Sequence, residues 1–168
     1  MSEQNDSEVR TGAAAPERAP DGRPVTEVAV GILVGSDGRF LLAQRPPGKP
    51  YEGYWEFPGG KLEVGESVEA ALERELHEEL GVTITRSERW RVLEHDYPHA
   101  YVRLYFCKVT AWEGELVGRE GQAFAWQRQP VDVGPLLPAT IPVLEWLAQP
   151  QPQPQPQLAA SPVRSGSN

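Results

Sequence analysis

One early segment of the chain, residues 28–34, places an apolar side chain at every second position. This period of two predicts a β-strand. A Gly-Ser-Asp-Gly sequence follows at 35–38, and the apolar run Phe-Leu-Leu-Ala at 40–43 predicts a second strand. Because glycine favours a tight turn between strands, we expect the two strands to form a β-hairpin.

Further along the chain, the pattern alternates between loops, helices and strands. Residues 46–60 contain four prolines and four glycines, and this composition predicts a long loop of the kind that usually carries function. A helix is predicted from Ser67, as its N-cap, to Leu80, with Gly81 ending it. Strands are predicted at 90–97, 101–110 and 124–127, and a closing helix at 141–148. Interleaved strands and helices indicate an α/β domain.

The two ends of the chain differ from its middle. Residues 1–24 lack apolar periodicity, so we expect them to be disordered. Residues 149–168 form a tail in which Gln and Pro alternate from 150 to 156, a composition typical of a stiff, polyproline-like spacer. Between these ends, residues 25–148 are enough for one domain with a sizeable core.

The predicted central helix carries three glutamates, Glu75, Glu78 and Glu79, at helical spacings. At about 100° per residue, they continue the stripe that the apolar residues of the first turns begin. A solvated helix face is the alternative interpretation, but it does not explain why an inward face turns acidic halfway along. Like charges at these spacings destabilise a helix. Clustered carboxylates without a basic partner between them suit Mg²⁺ or Mn²⁺, so we expect a metal site here.

Charge and cysteine content exclude several classes of protein. The net charge of −8 and the pI of about 4.9 argue against a nucleic-acid polymer as a partner, since phosphate backbones are bound by basic surfaces. No long apolar segment or signal segment is present, so we expect a cytoplasmic monomer with no membrane partner. The single cysteine, Cys107, lies in a strand-like pattern and is predicted to be a core residue rather than a nucleophile.

The segment that contains the three glutamates resembles the Nudix box at each of its defining positions. These positions are Gly60, Glu66, Arg74-Glu75, Leu76, Glu78-Glu79, Gly81 and Val82. The flanking segments 56–61 and 112–122 resemble the MutT branch of this family, the 8-oxo-dGTP diphosphatases. The resemblance covers about residues 25 to 148, and it leaves both ends of the chain outside.

This resemblance implies a fold and an activity. The fold is a single-domain Nudix α/β/α sandwich with a mixed β-sheet. The activity is Mg²⁺-dependent hydrolysis of an oxidised purine nucleotide such as 8-oxo-dGTP, by attack of water on the β-phosphorus, to the monophosphate and pyrophosphate. Two alternatives stay open: another nucleoside diphosphate derivative as substrate, such as a dinucleoside polyphosphate or ADP-ribose, or a Nudix-shaped binding module. The binding module predicts eroded carboxylates, and none is eroded here.

The metal ligands that we expect combine helix, loop and backbone oxygens. They are the carbonyl of Gly59 and the carboxylates of Glu75, Glu78, Glu79 and Glu120. Glu120 is included because it lies in a glycine-flanked loop and matches a glutamate that approaches the metals in the family. Arg74 is expected to orient a neighbouring carboxylate, since a guanidinium cannot bind Mg²⁺. Either Glu75 or Glu120 is the general base, a choice that geometry must decide.

The substrate-binding residues that we expect are Arg45, Glu56, Phe57, Gly60, Lys61 and Thr140. For Arg45 and Phe57, a structural ion pair and a core aromatic are equally good interpretations. In the MutT pattern an asparagine at the start of the last helix reads the oxidised guanine, whereas this chain has Thr140, whose hydroxyl cannot make the same paired contact. Pro50 stands where the family has a histidine, which removes a second polar contact.

Overall fold

The structure, a computed structural model, describes residues 17–150, and these form the α/β fold that was predicted. In chain order the elements are β1 (Val25–Leu33), β2 (Phe40–Gln44), β3 (Trp55–Glu56), β4 (Gly59–Lys61), α1 (Val68–Leu80), β5 (Thr83–Asp96), β6 (Tyr101–Glu113), β7 (Phe124–Gln127) and α2 (Thr140–Ala148). Neither helix in this range has the length and apolar character needed to cross a membrane.

The strands form two sheets that share the centre of the molecule. The first has the order β4-β1-β6-β5, and it is mixed because β1 runs parallel to β6 but antiparallel to β4. The second has the order β3-β2-β7 and is antiparallel. The mixed sheet is therefore confirmed, and a smaller sheet accompanies it.

The predicted hairpin between the first two strands is wrong. β1 and β2 belong to different sheets, and they meet only at an isolated bridge between Val34 and Phe40. The turn itself is present, since the Gly35 N–H donates to the Arg39 carbonyl at 2.8 Å. Beyond the turn the strands diverge because β1 is a central strand, with both edges already paired to β4 and β6.

The long loop that was expected at 46–60 is shorter in the structure. Its second half contains β3, which pairs with β2, and the beginning of β4, which pairs with β1. These short strands carry Glu56 and Gly59, so the segment enters the sheets rather than running over the surface.

Two apolar clusters lie on opposite sides of the strands, one under each helix. Because side chains alternate along β1, Ala29 and Leu33 pack in the cluster with α1, while Val30 and Ile32 pack in the cluster with α2. The helices therefore cover the two faces of the strand layer, as in an α/β/α sandwich. Cys107 is buried in the α1 cluster, which confirms its prediction as a core residue.

α1 begins and ends where the sequence predicts. The Ser67 hydroxyl accepts a hydrogen bond from the Ala70 N–H at 3.1 Å, and Gly81 adopts the left-handed conformation with φ of 72°.

The acidic stripe of α1 differs from the prediction, because the inward face stays apolar along the whole helix. It is formed by Val68, Ala71, Leu72, Leu76 and Leu80. Glu75 and Glu79 lie half-buried beside this face, and the Glu78 side chain is 54% exposed. Leu76 and Leu80 continue the buried apolar face through the last two turns of the helix. The glutamates therefore lie at the edge of this face.

Residues 17–24 differ from the disorder that was expected for residues 1–24. Ala19 is buried, and the Arg23 guanidinium donates to the Tyr97 carbonyl at 2.7 Å and pairs with Asp96. These contacts join the segment to the end of β5, a partner that lies more than 70 residues away and that local sequence patterns cannot show. The expectations for residues 1–16 and 151–168 lie outside the described residues.

Candidate active site

A cavity of about 710 Å³ opens between the two helices and the loops at one edge of the strands. Residues from α1, β4 and the loop before β7 form its acidic part, which contains Glu75, Glu79 and Glu120. The turn between β5 and β6 and the beginning of α2 form another part. The volume of the whole cavity is typical of sites that bind small molecules.

The close approach of β4 to α1 requires a glycine. A Cβ atom at Gly60 would overlap the Glu75 carboxylate, so any other residue would displace that side chain from its place against the strand. Gly60 lies on the edge strand β4, and its pairing with Ala29 of β1 holds this strand in place. The backbone of β4 thus supports a carboxylate of α1.

The Arg74 guanidinium organises the acidic part of the site. Its Nη1 donates to Glu75 Oε1 at 2.8 Å, and its Nε and Nη2 each donate to the Glu66 carboxylate at 2.8 Å. Nη2 also donates to the carbonyl of Lys61, a residue whose side chain is exposed at the cavity, at 3.0 Å. The contact that was expected between Arg74 and a neighbouring carboxylate is therefore present. The hydrogen bonds from Arg74 and from the Glu63 backbone lower the pKa of Glu66 to about 2.

The Glu79 carboxyl group is partly buried in the cavity beside other carboxylates. Burial raises its pKa well above the ordinary value, and the charges of Glu75 and Glu120 raise it further. A hydrogen bond with Glu75 acts in the same direction. Protons therefore offset part of the repulsion among these carboxylates.

The carboxylate and carbonyl oxygens that line this part of the cavity are the kind of ligand that a hard divalent cation binds. Mg²⁺ binds carboxylate and carbonyl oxygens, and the charges of Glu75 and Glu120 that raise the pKa of Glu79 would also favour a cation here. Within residues 17–150, no three histidine, cysteine or acidic side chains already converge on a common point. Binding would therefore have to draw the carboxylates together.

The structure does not bring every expected ligand to the cavity. Glu78 points outward, with Oε2 3.6 Å from Arg74 Nη1, and it does not line the cavity. The Gly59 backbone and Glu120 do line it. The loop that carries Glu120 is held against the end of α1, since the Val117 N–H donates to the Leu80 carbonyl and the Arg119 N–H to the Glu79 carbonyl.

Two of the expected substrate-binding residues bind each other. Arg45 Nη1 donates to both oxygens of Glu56, at 3.0 and 3.1 Å, and Arg45 Nε donates to the Pro50 carbonyl at 2.7 Å. Burial raises the pKa of Glu56, while the Arg45 charge opposes this shift. Phe57 is a core aromatic that packs against Phe106, and it also lines the cavity.

Thr140 lies at the beginning of α2, where it is buried and lines the cavity. The residue before it, Ala139, donates its N–H to the Tyr97 hydroxyl at 2.9 Å. Burial raises the pKa of Tyr97 to about 12, so this phenol stays protonated.

Sequence reasoning missed Tyr97 and His99, whose rings stack with centroids 5.2 Å apart at the cavity wall. Burial lowers the pKa of His99. The signal that was available is the Tyr-Pro-His sequence at 97–99, which places two aromatic rings at a turn between predicted strands.

Comparison with known proteins assigns the family. The NUDIX domain family matches residues 25–147, which is well over half of the chain. The chain therefore belongs to the Nudix hydrolase family.

Individual relatives agree with this family but differ in their names. The 8-oxo-dGTP diphosphatase of Haemophilus influenzae is 36% identical over 126 residues, covering 74% of this chain and 93% of the relative. The CTP pyrophosphohydrolase of Escherichia coli is 39% identical over 117 residues, covering 69% and 87%. The crystal structure of a MutT NUDIX hydrolase from Burkholderia pseudomallei aligns with a TM-score of 0.66 at 30% identity, covering 72% of this chain and 96% of that one.

The lowered pKa of Glu66 makes the stability of the site dependent on pH. A carboxyl group with a depressed pKa stabilises the fold above its unfolded value, here 4.5, and this contribution disappears as the pH falls toward 2. We expect Glu66→Gln to lower the melting temperature at pH 7, and the difference from wild type to shrink steadily below pH 4.5. The melting temperatures of wild type and variant are measured from pH 7 to pH 3. Glu88→Gln, a substitution at an exposed residue, is the control. A difference that is independent of pH would contradict the assigned ion pair.

Proposed function

We propose that this protein is a Mg²⁺-dependent nucleoside triphosphate diphosphatase of the MutT type. It hydrolyses oxidised purine nucleotides such as 8-oxo-dGTP to the monophosphate and pyrophosphate, and so removes them from the pool of replication precursors. It acts on free nucleotides, as a monomer in the cytoplasm. The observation that supports this most is the cavity beside β4 that Glu75, Glu79 and Glu120 all line.

The acidic part of the cavity suits the phosphates only when metal is present, because carboxylates alone would repel them. Bound Mg²⁺ would neutralise phosphate charge and make the attacking water more acidic. Glu75, Glu79 and Glu120 would hold it, together with the carbonyl of Gly59. Since Glu78 is exposed in the structure, its participation requires a change of side-chain conformation.

The remaining steps use the side chains that surround these carboxylates. Arg74 holds Glu75 against β4, and this fixes the direction from which the carboxylate meets the substrate. Either Glu75 or Glu120 accepts the proton of the attacking water, and both line the cavity. Arg45 becomes available to a phosphate only if it exchanges part of its contact with Glu56.

The part of the cavity near α2 would receive the base. Tyr97, His99 and Thr140 line it, and the apolar side chain of Leu137 adds to its wall. The relatives named as 8-oxo-dGTP diphosphatases favour an oxidised guanine here.

A second candidate substrate is a nucleoside triphosphate with another base. Two observations favour it: a relative named as a CTP pyrophosphohydrolase is 39% identical, and Thr140 stands where the MutT pattern has asparagine. Both candidates use the same metal chemistry, and they differ only in how the base is read.

A turnover panel tests the proposal. We expect 8-oxo-dGTP to give the highest kcat/KM among 8-oxo-dGTP, dGTP, dATP, CTP, ADP-ribose and diadenosine polyphosphates, with pyrophosphate released in equal amount to monophosphate. Activity should require Mg²⁺ or Mn²⁺, since oxygen ligands surround the site. Highest activity with CTP would support the second candidate, and full activity in excess chelator would refute the metal-dependent mechanism.

Replacing Glu79 tests the role of the buried carboxylate. We expect Glu79→Gln to lower kcat by about a hundredfold, because the variant loses a charge that stabilises the transition state through the metal. Without metal, the variant should melt at a higher temperature than wild type, since burial and neighbouring charges oppose ionisation of Glu79. Glu73→Gln, on the exposed face of α1, is the matched control. Wild-type turnover in Glu79→Gln would show that this glutamate is not part of the metal site.

Replacing Thr140 tests how the base is read. If Thr140 faces the base, Thr140→Asn introduces a paired donor and acceptor and should raise the preference for 8-oxo-dGTP over dGTP by about fivefold to tenfold. The measurement is kcat/KM for both nucleotides, with Thr110→Asn, on the exposed end of β6, as control. An unchanged ratio would mean that another group reads the base.

A further inference from the structure

Gln122 has a buried side-chain oxygen with no hydrogen-bond partner. Among the described residues 17–150, Gln122 Oε1 is the one buried side-chain nitrogen or oxygen in this condition. Exchanging the positions of the amide oxygen and nitrogen would not remove the unpaired group, because it would bury an unpaired N–H in the same place. Since buried polar groups are almost always paired, this amide is held in an unfavourable environment in the free protein.

The backbone on either side of this amide is fixed. The Gln44 N–H donates to the Ala123 carbonyl at 2.8 Å, which attaches the residue after Gln122 to β2. On the other side, the N–H of Gly121, the residue before Gln122, donates to the Gly118 carbonyl at 3.4 Å. The amide can therefore reach a partner only by rotating about its own side-chain bonds.

A ligand in the cavity could supply the hydrogen-bond partner that the Gln122 amide lacks. Gln122 lines it two residues after Glu120, and so belongs to its acidic part rather than to the part formed by Tyr97 and Thr140. In the proposed function that part receives the phosphates, and the sugar that carries them would lie next to it. A glutamine amide has an N–H for a phosphate oxygen and an oxygen that can accept from a sugar hydroxyl.

We propose that Gln122 is a nucleotide-binding residue whose amide turns into the cavity and contacts the sugar–phosphate part of the bound substrate. This inference rests on the proposed function. It predicts opposite effects on stability and on binding when the amide is removed, because the free protein leaves the amide oxygen unpaired while the complex uses the amide.

Gln122→Met tests this, since methionine has nearly the same length and no hydrogen-bonding amide. We expect the metal-free variant to melt at the same temperature as wild type or higher. For the nucleotide that wild type hydrolyses fastest, KM should rise about fivefold, as should the calorimetric Kd of its monophosphate product in Mg²⁺, while kcat stays within about twofold.

Two further variants complete the experiment. Gln129→Met removes an amide that lies outside the cavity and donates to the Leu144 carbonyl at 2.8 Å, so it should lower the melting temperature and leave KM unchanged. Gln122→Glu keeps the shape of the side chain but adds a negative charge, so it should raise KM more than Gln122→Met if the partner is a phosphate.

The outcomes separate this inference from the function on which it rests. If wild type turns over nucleotides but Gln122→Met keeps KM and Kd within about twofold of wild type, the role of Gln122 is refuted and the function stands. A melting temperature that falls as far as that of Gln129→Met would also refute it, because the amide would then stabilise the free fold. If wild type neither binds nor hydrolyses any nucleotide of the panel, both proposals fail.

Discussion

The hydrogen bonds of Arg74 are the interaction on which the rest of the candidate site depends. One guanidinium joins the loop at Glu66, the carbonyl of Lys61 in β4 and the carboxylate of Glu75 in α1. Arginine suits this role because its planar donors reach three partners in fixed directions and it stays charged at any physiological pH. Without it, Glu75 would lose its ion pair beside Gly60, and the link between α1, β4 and the loop at Glu66 would be broken.

The same region concentrates more negative charge than the free fold can keep ionised. Burial and the neighbouring carboxylates raise the pKa of Glu79, because they make its ionised form costly. Arg74 is already paired with Glu66 and Glu75, so both of these contacts occupy its charge. In the proposed function, a divalent cation would relieve the crowding of carboxylates at the margin of α1.

Substrate recognition rests on a different principle, because the two parts of the cavity are built from different elements. The acidic part is built where β4 approaches α1 and where the loop before β7 carries Glu120. The other part is made by the β5–β6 turn and the beginning of α2, where the Tyr97 hydroxyl accepts a hydrogen bond from the Ala139 N–H. In the proposed function this part receives the base, so a change at Thr140 would alter the choice of base without changing the carboxylates of the acidic part.

The sequence by itself determined the features that depend on neighbours in the chain. Ser67 and Gly81 bound the helix through local hydrogen bonds and backbone conformation, and the Nudix box identified the family. Only the tertiary structure decided that β1 and β2 belong to different sheets, that Arg45 is paired with Glu56, and that Gln122 lines the cavity. Each of these depends on which distant segments pack together, and a local pattern of residue types carries no information about that choice of partner.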